Sequence, residues 1–134
     1  DYLESRTSKQ ISFSFFTSNN EILSNINEEL FGWVIENLVK NAIDAMKGKG
    51  TLQVAIQDTT KKIKITVLDT GKGIPKSQFK QIFKPGFTTK KRGWGLGLSL
   101  SKRIIEDYHN GKITVQKSEI NKGTTFQILL DKVS

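Results

Sequence analysis

Two asparagines four residues apart, Asn37 and Asn41, are the first residues whose type and spacing suggest chemistry. The surrounding apolar pattern predicts a helix that begins near Asn27 and ends at Gly48. A spacing of four places both side-chain amides on one face of that helix. Amide oxygens are neutral ligands that suit Mg²⁺ when phosphates and water complete its coordination shell. The alternative is a pair of buried asparagines that bridge the helix to a sheet.

The turn from Asp69 to Gly73 follows directly on the strand pattern of residues 63–67 and is a second candidate site. A carboxylate at a strand end can accept a hydrogen bond from an exocyclic amine such as that of adenine. Guanine presents an acceptor at the same edge, so Asp69 would repel it. Gly71 and Gly73 permit close approach of a ligand and a positive φ. The alternative is an ordinary Asp-Gly turn.

A glycine-rich segment, residues 93–97, opens a second predicted helix that spans residues 96–108. Backbone N–H groups at a helix start, where the helix dipole is positive, favour phosphate. The segment is neither the dinucleotide-binding fingerprint, which needs a strand before it, nor a P-loop, which needs a following Gly-Lys-Ser/Thr. The basic run 90–92 precedes it in a loop, residues 84–95, and is either a solvated charge run or part of a functional lid.

The net charge of +8 is concentrated in one part of the chain. Between Thr70 and Ile105 there are nine basic residues and no acidic ones, so the rest of the chain sums to −1. Because this stretch also contains both glycine-rich motifs, it favours a phosphate site over an extended nucleic-acid surface. The absence of cysteine excludes disulfides and thiolate metal sites, and a single histidine argues against a zinc cluster. No apolar run is long enough to span a membrane.

The coarse pattern predicts one α+β domain over residues 10–134, preceded by a linker remnant at residues 1–9. Alternating apolar residues predict strands near 10–15, 52–56, 63–67, 113–115 and 124–130, with a short additional strand at 21–24. We expect a two-layer sandwich, a mixed and mostly antiparallel sheet with two long helices on one face. Residues 77–83 suggest a short helix. In the second long helix, Leu100, Ile104 and Tyr108 share one face, and His109 is interpreted as a capping or surface residue.

Taken in order, these segments resemble the nucleotide-binding domain of sensor histidine kinases, which belong to the superfamily shared with gyrase, the Hsp90 chaperones and MutL. The resemblance runs from about residue 10 to residue 130, and the ordered set of motifs is highly specific. The motifs are an N box at 37–42, a G1 box at 69–73, an F box at 82–83 with 87–90, a G2 box at 93–97, and the final Gly123-Thr124.

The resemblance implies a Bergerat-type fold, in which ATP lies between helices and sheet under a mobile lid, and it implies a role for each matching residue. Asn41 would bind Mg²⁺, Asp69 the adenine amine, and Lys90 the γ-phosphate, while Thr124 would support Asp69 or a water near adenine. The expected catalytic residues are Asn37, Asn41 and Lys90. The expected nucleotide-binding residues are Asn37, Asn41, Asp69, Gly71, Gly73, Ile74, Phe83, Lys90, Arg92, Gly93, Gly95, Leu96, Gly97 and Thr124.

Within the superfamily that this chain resembles, the residue type at one position distinguishes kinases from hydrolases. The ATP-hydrolysing branches carry a glutamate four residues before the metal-binding asparagine as the general base for water, and here that position is Asn37. Glu36 lies about 100° away around the helix. Without a positioned base, water attack should be slow, which favours a kinase. Two departures from the family are Asp44, where many members carry lysine, and Thr88-Thr89, where many carry arginine.

The phosphoacceptor histidine is expected on an N-terminal dimerisation domain outside this chain. The resemblance therefore implies a two-component sensor kinase that transfers phosphate from ATP to that histidine and acts indirectly on a response regulator. The parent would be a homodimer through the missing domain and the fragment a monomer, with no nucleic-acid partner. We expect a cytoplasmic location, either free or as the cytoplasmic part of a membrane-bound sensor. The alternatives are a hydrolase or serine kinase of the same superfamily, and a non-catalytic nucleotide-binding module.

Overall fold

The computed structural model of the chain describes residues 11–17, 28–58, 61–85 and 97–131. Within these ranges lie five strands, β1 (Ile11–Thr17), β2 (Gly50–Asp58), β3 (Lys62–Asp69), β4 (Lys112–Glu119) and β5 (Gly123–Asp131). Helix α1 spans Glu28–Met46, and helix α2 spans Gly97–Arg103. A π-helical segment, Ile104–Tyr108, continues α2, and two 3₁₀ turns, Lys76–Gln78 and Gln81–Phe83, follow β3.

The strands form one mixed sheet in the order β1-β2-β3-β5-β4. β1 pairs with β2 in parallel, and the other neighbours are antiparallel. Every second residue of β3 and β5 is buried, because alternate side chains point to the sheet face that the helices cover. The predicted α+β fold with a mostly antiparallel sheet is confirmed, and its register places Asp69 opposite Thr124.

Helix α1 packs on the sheet through Val34, Leu38, Val39 and Ala42, all of which are buried. The helix ends where Lys47 and Gly48 adopt positive φ values of 54° and 86°. That left-handed ending matches the glycine signal in the sequence. The exposed side of α1 includes Trp33, whose exposed fraction is 41%.

The structure corrects two predictions between β3 and β4. Residues 77–83 form no single helix, because the chain makes two separate 3₁₀ turns there. Of the apolar face predicted for the second helix, Leu100 and Tyr108 are exposed, at 38% and 66%, while Ile104 is half-buried against the core. The buried positions are Ser99, Ser101, Ile105 and His109, since those sides of the helix meet the rest of the fold.

Several predictions lie outside the described residues. These are the linker at 1–9, the short strand at 21–24, and all but the first two residues of the loop at 84–95. No helix in the described ranges is long and apolar enough to cross a membrane.

Candidate functional site

Asp69 ends β3 as a carboxyl group buried to 4% exposure. The backbone N–H of Gly71 donates to Asp69 Oδ1 at 2.8 Å, and the backbone of Thr124 also hydrogen-bonds the carboxylate. Burial raises the pKa of Asp69 above its ordinary value, and these two backbone hydrogen bonds only partly oppose the shift. The fold therefore holds an acceptor in a fixed orientation at some cost in free energy, which is typical of functional carboxylates.

The two glycines after Asp69 fit closely against neighbouring backbone. A Cβ on Gly71 would lie 2.6 Å from the carbonyl carbon and oxygen of Ala45, at the end of α1. Gly73 has a φ of +76°, and a Cβ there would lie 2.1 Å from the carbonyl oxygen of Glu119. The fold alone thus requires glycine at both positions, and their contact with a nucleotide stays a prediction.

Asn37 connects the two helices. Its Nδ2 donates to Ser101 Oγ at 3.2 Å, and Ser101 Oγ donates in turn to the backbone carbonyl of Gly97 at 2.8 Å. A Cβ on Gly97 would lie 2.9 Å from Asn37 Oδ1, so the amide packs directly on the first residue of α2. For Asn37, the bridge that the sequence suggested therefore runs from helix to helix rather than from helix to sheet.

Glu36 is directed elsewhere. Its carboxylate pairs with Lys40 Nζ at 3.0 Å along α1, and both side chains are about two-fifths exposed. Asn37, not Glu36, therefore meets the start of α2. Asn41 lies one turn beyond Asn37 and is half-buried.

The remaining described candidates lie around the end of β3. Ile74 is half-buried against the core, and its backbone N–H donates to Ser118 Oγ at 2.7 Å. Thr124 is buried, with its hydroxyl 2.8 Å from Ser118 Oγ. Phe83 packs edge-on against Phe126 in the core, with ring centroids 6.2 Å apart. It also lines a groove of about 240 Å³ beside α2.

Five candidates lie outside the described residues, namely Lys90, Arg92, Gly93, Gly95 and Leu96. The six basic residues of the 70–105 stretch that the structure does describe are all exposed. They are Lys72, Lys76, Lys80, Lys84, Lys102 and Arg103.

Two serines of the site were not anticipated from the sequence. Ser101 is fully buried and joins Asn37 to Gly97. The sequence feature that could have identified Ser101 is its position four residues after Gly97, because that spacing places both residues on one helix face. Ser118 contacts Ile74, Gly123 and Thr124, and no local pattern marked it, because its partners come from distant segments or from across a hairpin.

His109 is buried rather than on the surface. Its Nδ1 lies 2.8 Å from the carbonyl oxygen of Ile104, and its ring meets Phe31 edge-on at 5.9 Å. This contact reaches back five residues to the first carbonyl of the π-helical segment, so the ring lies along the second helix.

Comparison with known proteins identifies the family to which this fold belongs. Residues 26–134 match the model of the family of histidine kinase-, DNA gyrase B- and HSP90-like ATPases. Sporulation kinase C of Bacillus subtilis is 36% identical over 115 residues, which cover 86% of this chain and 26% of that kinase. Sensor histidine kinase ZraS of Salmonella typhimurium is 44% identical over 102 residues, which cover 75% of this chain and 22% of that protein.

The solved catalytic domain of histidine kinase ThkA, in a nucleotide-free form, superposes with a TM-score of 0.83 at 35% identity. The match covers 93% of this chain and 82% of that domain. The chain therefore belongs to the histidine kinase-, gyrase B- and HSP90-like ATPase family, as an ATP-binding catalytic domain of the sensor histidine kinase type. It spans about a quarter of the length of the curated kinases it matches.

Proposed function

We propose that this chain binds Mg-ATP and donates the γ-phosphoryl group to a histidine on a separate domain of the same kinase. The observation that carries the proposal is the pairing of Asn37 with the start of α2, while Glu36 is held by Lys40. Where superfamily hydrolases place a general base, this chain has an amide already engaged with Ser101. An amide cannot take a proton from water, so ATP is kept for a better nucleophile.

Adenine recognition rests on Asp69. The carboxylate is buried and held by the backbone at the end of β3, so it accepts hydrogen bonds in a fixed direction. An exocyclic amine satisfies such an acceptor, whereas the carbonyl of guanine would face it with like polarity. Gly73 and Ile74 follow in the same turn and border the expected base.

Asn41 is the proposed Mg²⁺ ligand. The donor set fits, because Mg²⁺ prefers oxygen ligands and is usually bound through one or two protein groups plus phosphates and water. Among the described residues no group of three His, Cys, Asp or Glu could hold a metal by itself. The ion would therefore depend on the nucleotide, where it would neutralise charge on the phosphate oxygens. Lys90, Arg92 and the 93–97 segment are proposed phosphate contacts from the sequence.

The acceptor must come from outside this chain. His109 is the single histidine, and it is buried with Nδ1 against the Ile104 carbonyl. A second domain with an exposed histidine satisfies the requirement, and the relatives have ample length for one. We place that domain N-terminal to this chain, in a homodimeric cytoplasmic kinase. ThkA has been solved in complex with response regulator TrrA, which supports a response regulator as the downstream partner.

Substitution of Asn41 in the parent kinase tests the proposal. We expect Asn41→Ala to lower autophosphorylation by at least about 100-fold, since a metal ligand is lost, and to reduce activity far more than it alters folding. Glu36→Gln on the same helix is the matched control and should retain near-normal activity. Near-normal phosphotransfer by Asn41→Ala would refute the metal assignment. Loss of phosphotransfer in Glu36→Gln would contradict the placement of Glu36 away from the reacting groups.

A further inference from the structure

Ser118 lies on β4, outside every motif that suggested function, yet its hydroxyl contacts both segments that flank Asp69. The backbone N–H of Ile74 donates to Ser118 Oγ at 2.7 Å. Ser118 Oγ lies 3.0 Å from the carbonyl oxygen of Gly123 and 2.8 Å from Thr124 Oγ1. One hydroxyl thus joins the turn after β3 to the start of β5.

The three contacts determine where the hydroxyl protons lie. A serine hydroxyl has one proton and two lone pairs, and the Gly123 carbonyl can only accept. If Ser118 donated its proton to Thr124, Ser118 Oγ would face the Gly123 carbonyl oxygen with no proton between the two oxygens. All three contacts are hydrogen bonds only when Ser118 donates to Gly123 and Thr124 donates to Ser118. The proton of Thr124 is then committed to Ser118, and Thr124 Oγ1 offers only lone pairs to other groups.

Thr124 stands next to the adenine-recognising carboxylate. It pairs directly with Asp69 across β3 and β5, and both side chains are buried on the same sheet face. Residues opposite each other in an antiparallel pair have Cβ atoms about 5 Å apart. A base bound at Asp69 would therefore meet two neighbouring acceptors, the Asp69 carboxylate and Thr124 Oγ1.

We propose that Ser118 is a positioning residue for base selection, which holds the Thr124 hydroxyl as an acceptor and so excludes purines with a 6-carbonyl. The inference rests on the proposed binding of ATP at Asp69. Without Ser118 the Thr124 hydroxyl can rotate and donate its proton to a carbonyl oxygen. Selectivity between a 6-amino and a 6-oxo purine then falls, even though Asp69 itself is unchanged.

The experiment compares ADP with IDP, whose bases differ in the 6-amino and 6-oxo groups and in the N1 proton. Dissociation constants are measured by calorimetry with Mg²⁺ for wild type, Ser118→Ala and Ser118→Thr. We expect the IDP-to-ADP ratio of dissociation constants to fall on the order of tenfold in Ser118→Ala, the effect of one hydrogen bond. Ser118→Thr retains a hydroxyl and should keep the wild-type ratio. Thr114→Ala, an exposed change on the same strand, is the control.

A purely structural role for Ser118 predicts that both nucleotides weaken equally, and an unchanged ratio would overturn the proposal. Should Ser118→Ala fail to fold, Ser118→Cys preserves the shape with a much weaker hydrogen-bonding group, and the same fall in ratio is expected. Failure of wild type to bind ADP would overturn the proposed function and this inference together. ADP binding with an unaltered ratio in the variants would overturn this inference alone.

Discussion

Replacement of Asp69 by asparagine separates the stability of the fold from nucleotide recognition. The carboxylate is buried, and its pKa is raised because burial outweighs the hydrogen bonds from the Gly71 and Thr124 backbone. An acid with a raised pKa keeps its proton in the fold at pH values where the unfolded chain has lost it. The unfolding free energy of wild type should therefore fall as pH rises from the ordinary aspartate pKa to the raised value, and this contribution should be constant above it.

Two opposing terms determine the effect of Asp69→Asn on the free protein. The amide has one oxygen where the carboxylate has two, and a backbone N–H left facing the amide NH₂ costs about 1–3 kcal/mol. Removal of the buried charge offsets this loss, by about 1.4 kcal/mol for each tenfold change in proton affinity. The free protein should therefore remain folded, and the difference in unfolding free energy, variant minus wild type, should increase with pH across that window.

In nucleotide binding, by contrast, no favourable term offsets the loss of the Asp69 carboxylate. A hydrogen bond to a charged acceptor contributes about 1.5–3 kcal/mol, so loss of the carboxylate should weaken ADP about tenfold to 100-fold. Calorimetric titration with Mg-ADP measures this loss, and urea unfolding between about pH 4 and 7 measures stability. Asp131→Asn is the matched control, because Asp131 lies at the opposite end of the same strand pair and is exposed. ADP affinity within twofold of wild type in a folded Asp69→Asn protein would refute the adenine assignment.

Four further substitutions test stability and are measured by urea unfolding. Gly73→Ala should lower the unfolding free energy by more than about 3 kcal/mol, because its Cβ would collide with the Glu119 carbonyl. Gly48→Ala has a positive φ but open space and should lose only about 1 kcal/mol, so equal losses would refute the collision argument. Gly32→Ala, in open space within α1, should instead stabilise by about 0.5–1 kcal/mol, and a loss would contradict its placement. Ser101→Ala should lose about 1–3 kcal/mol, since it leaves the Asn37 amide without this partner, and no loss would argue against that bridge.

The sequence predicted β3 and β5 well because their apolar residues alternate strictly, whereas β4 was predicted too short because its alternation breaks after Val115. The burial patterns of β3 and β5 reproduce the apolar alternation, and the turn after Asp69 lies at the predicted strand end. The start of the second helix was marked by its glycines. Its buried face was not predicted, because Ser101 and His109 are polar and Leu100 and Tyr108 are apolar yet exposed. Tertiary contacts, not hydrophobicity, decide which side of that helix is covered.

The site residues likewise divide into those that the sequence predicted and those that it did not. Asp69 was predictable, because a carboxyl group interrupts an apolar strand pattern at its end. The positions of Asn37 and Asn41 on one helix face were also predictable from their spacing. The hydrogen bonds of Ser118 were not, because they join Ile74, 44 residues away in the chain, to a hairpin partner. The packing role of Gly73 was also hidden, since the Glu119 carbonyl that excludes a side chain comes from the far end of β4.

The most direct test of the account supplies the isolated chain with γ-labelled ATP and Mg²⁺, with and without the histidine-bearing domain of its parent kinase. We predict tight binding and negligible phosphate release by the chain alone. On addition of the acceptor domain, label should appear on it as an acid-labile phosphohistidine, and an Asn41→Ala chain should give none. Rapid phosphate release without the acceptor, or label on the acceptor that survives acid, would contradict the proposal that this chain reserves ATP for a histidine.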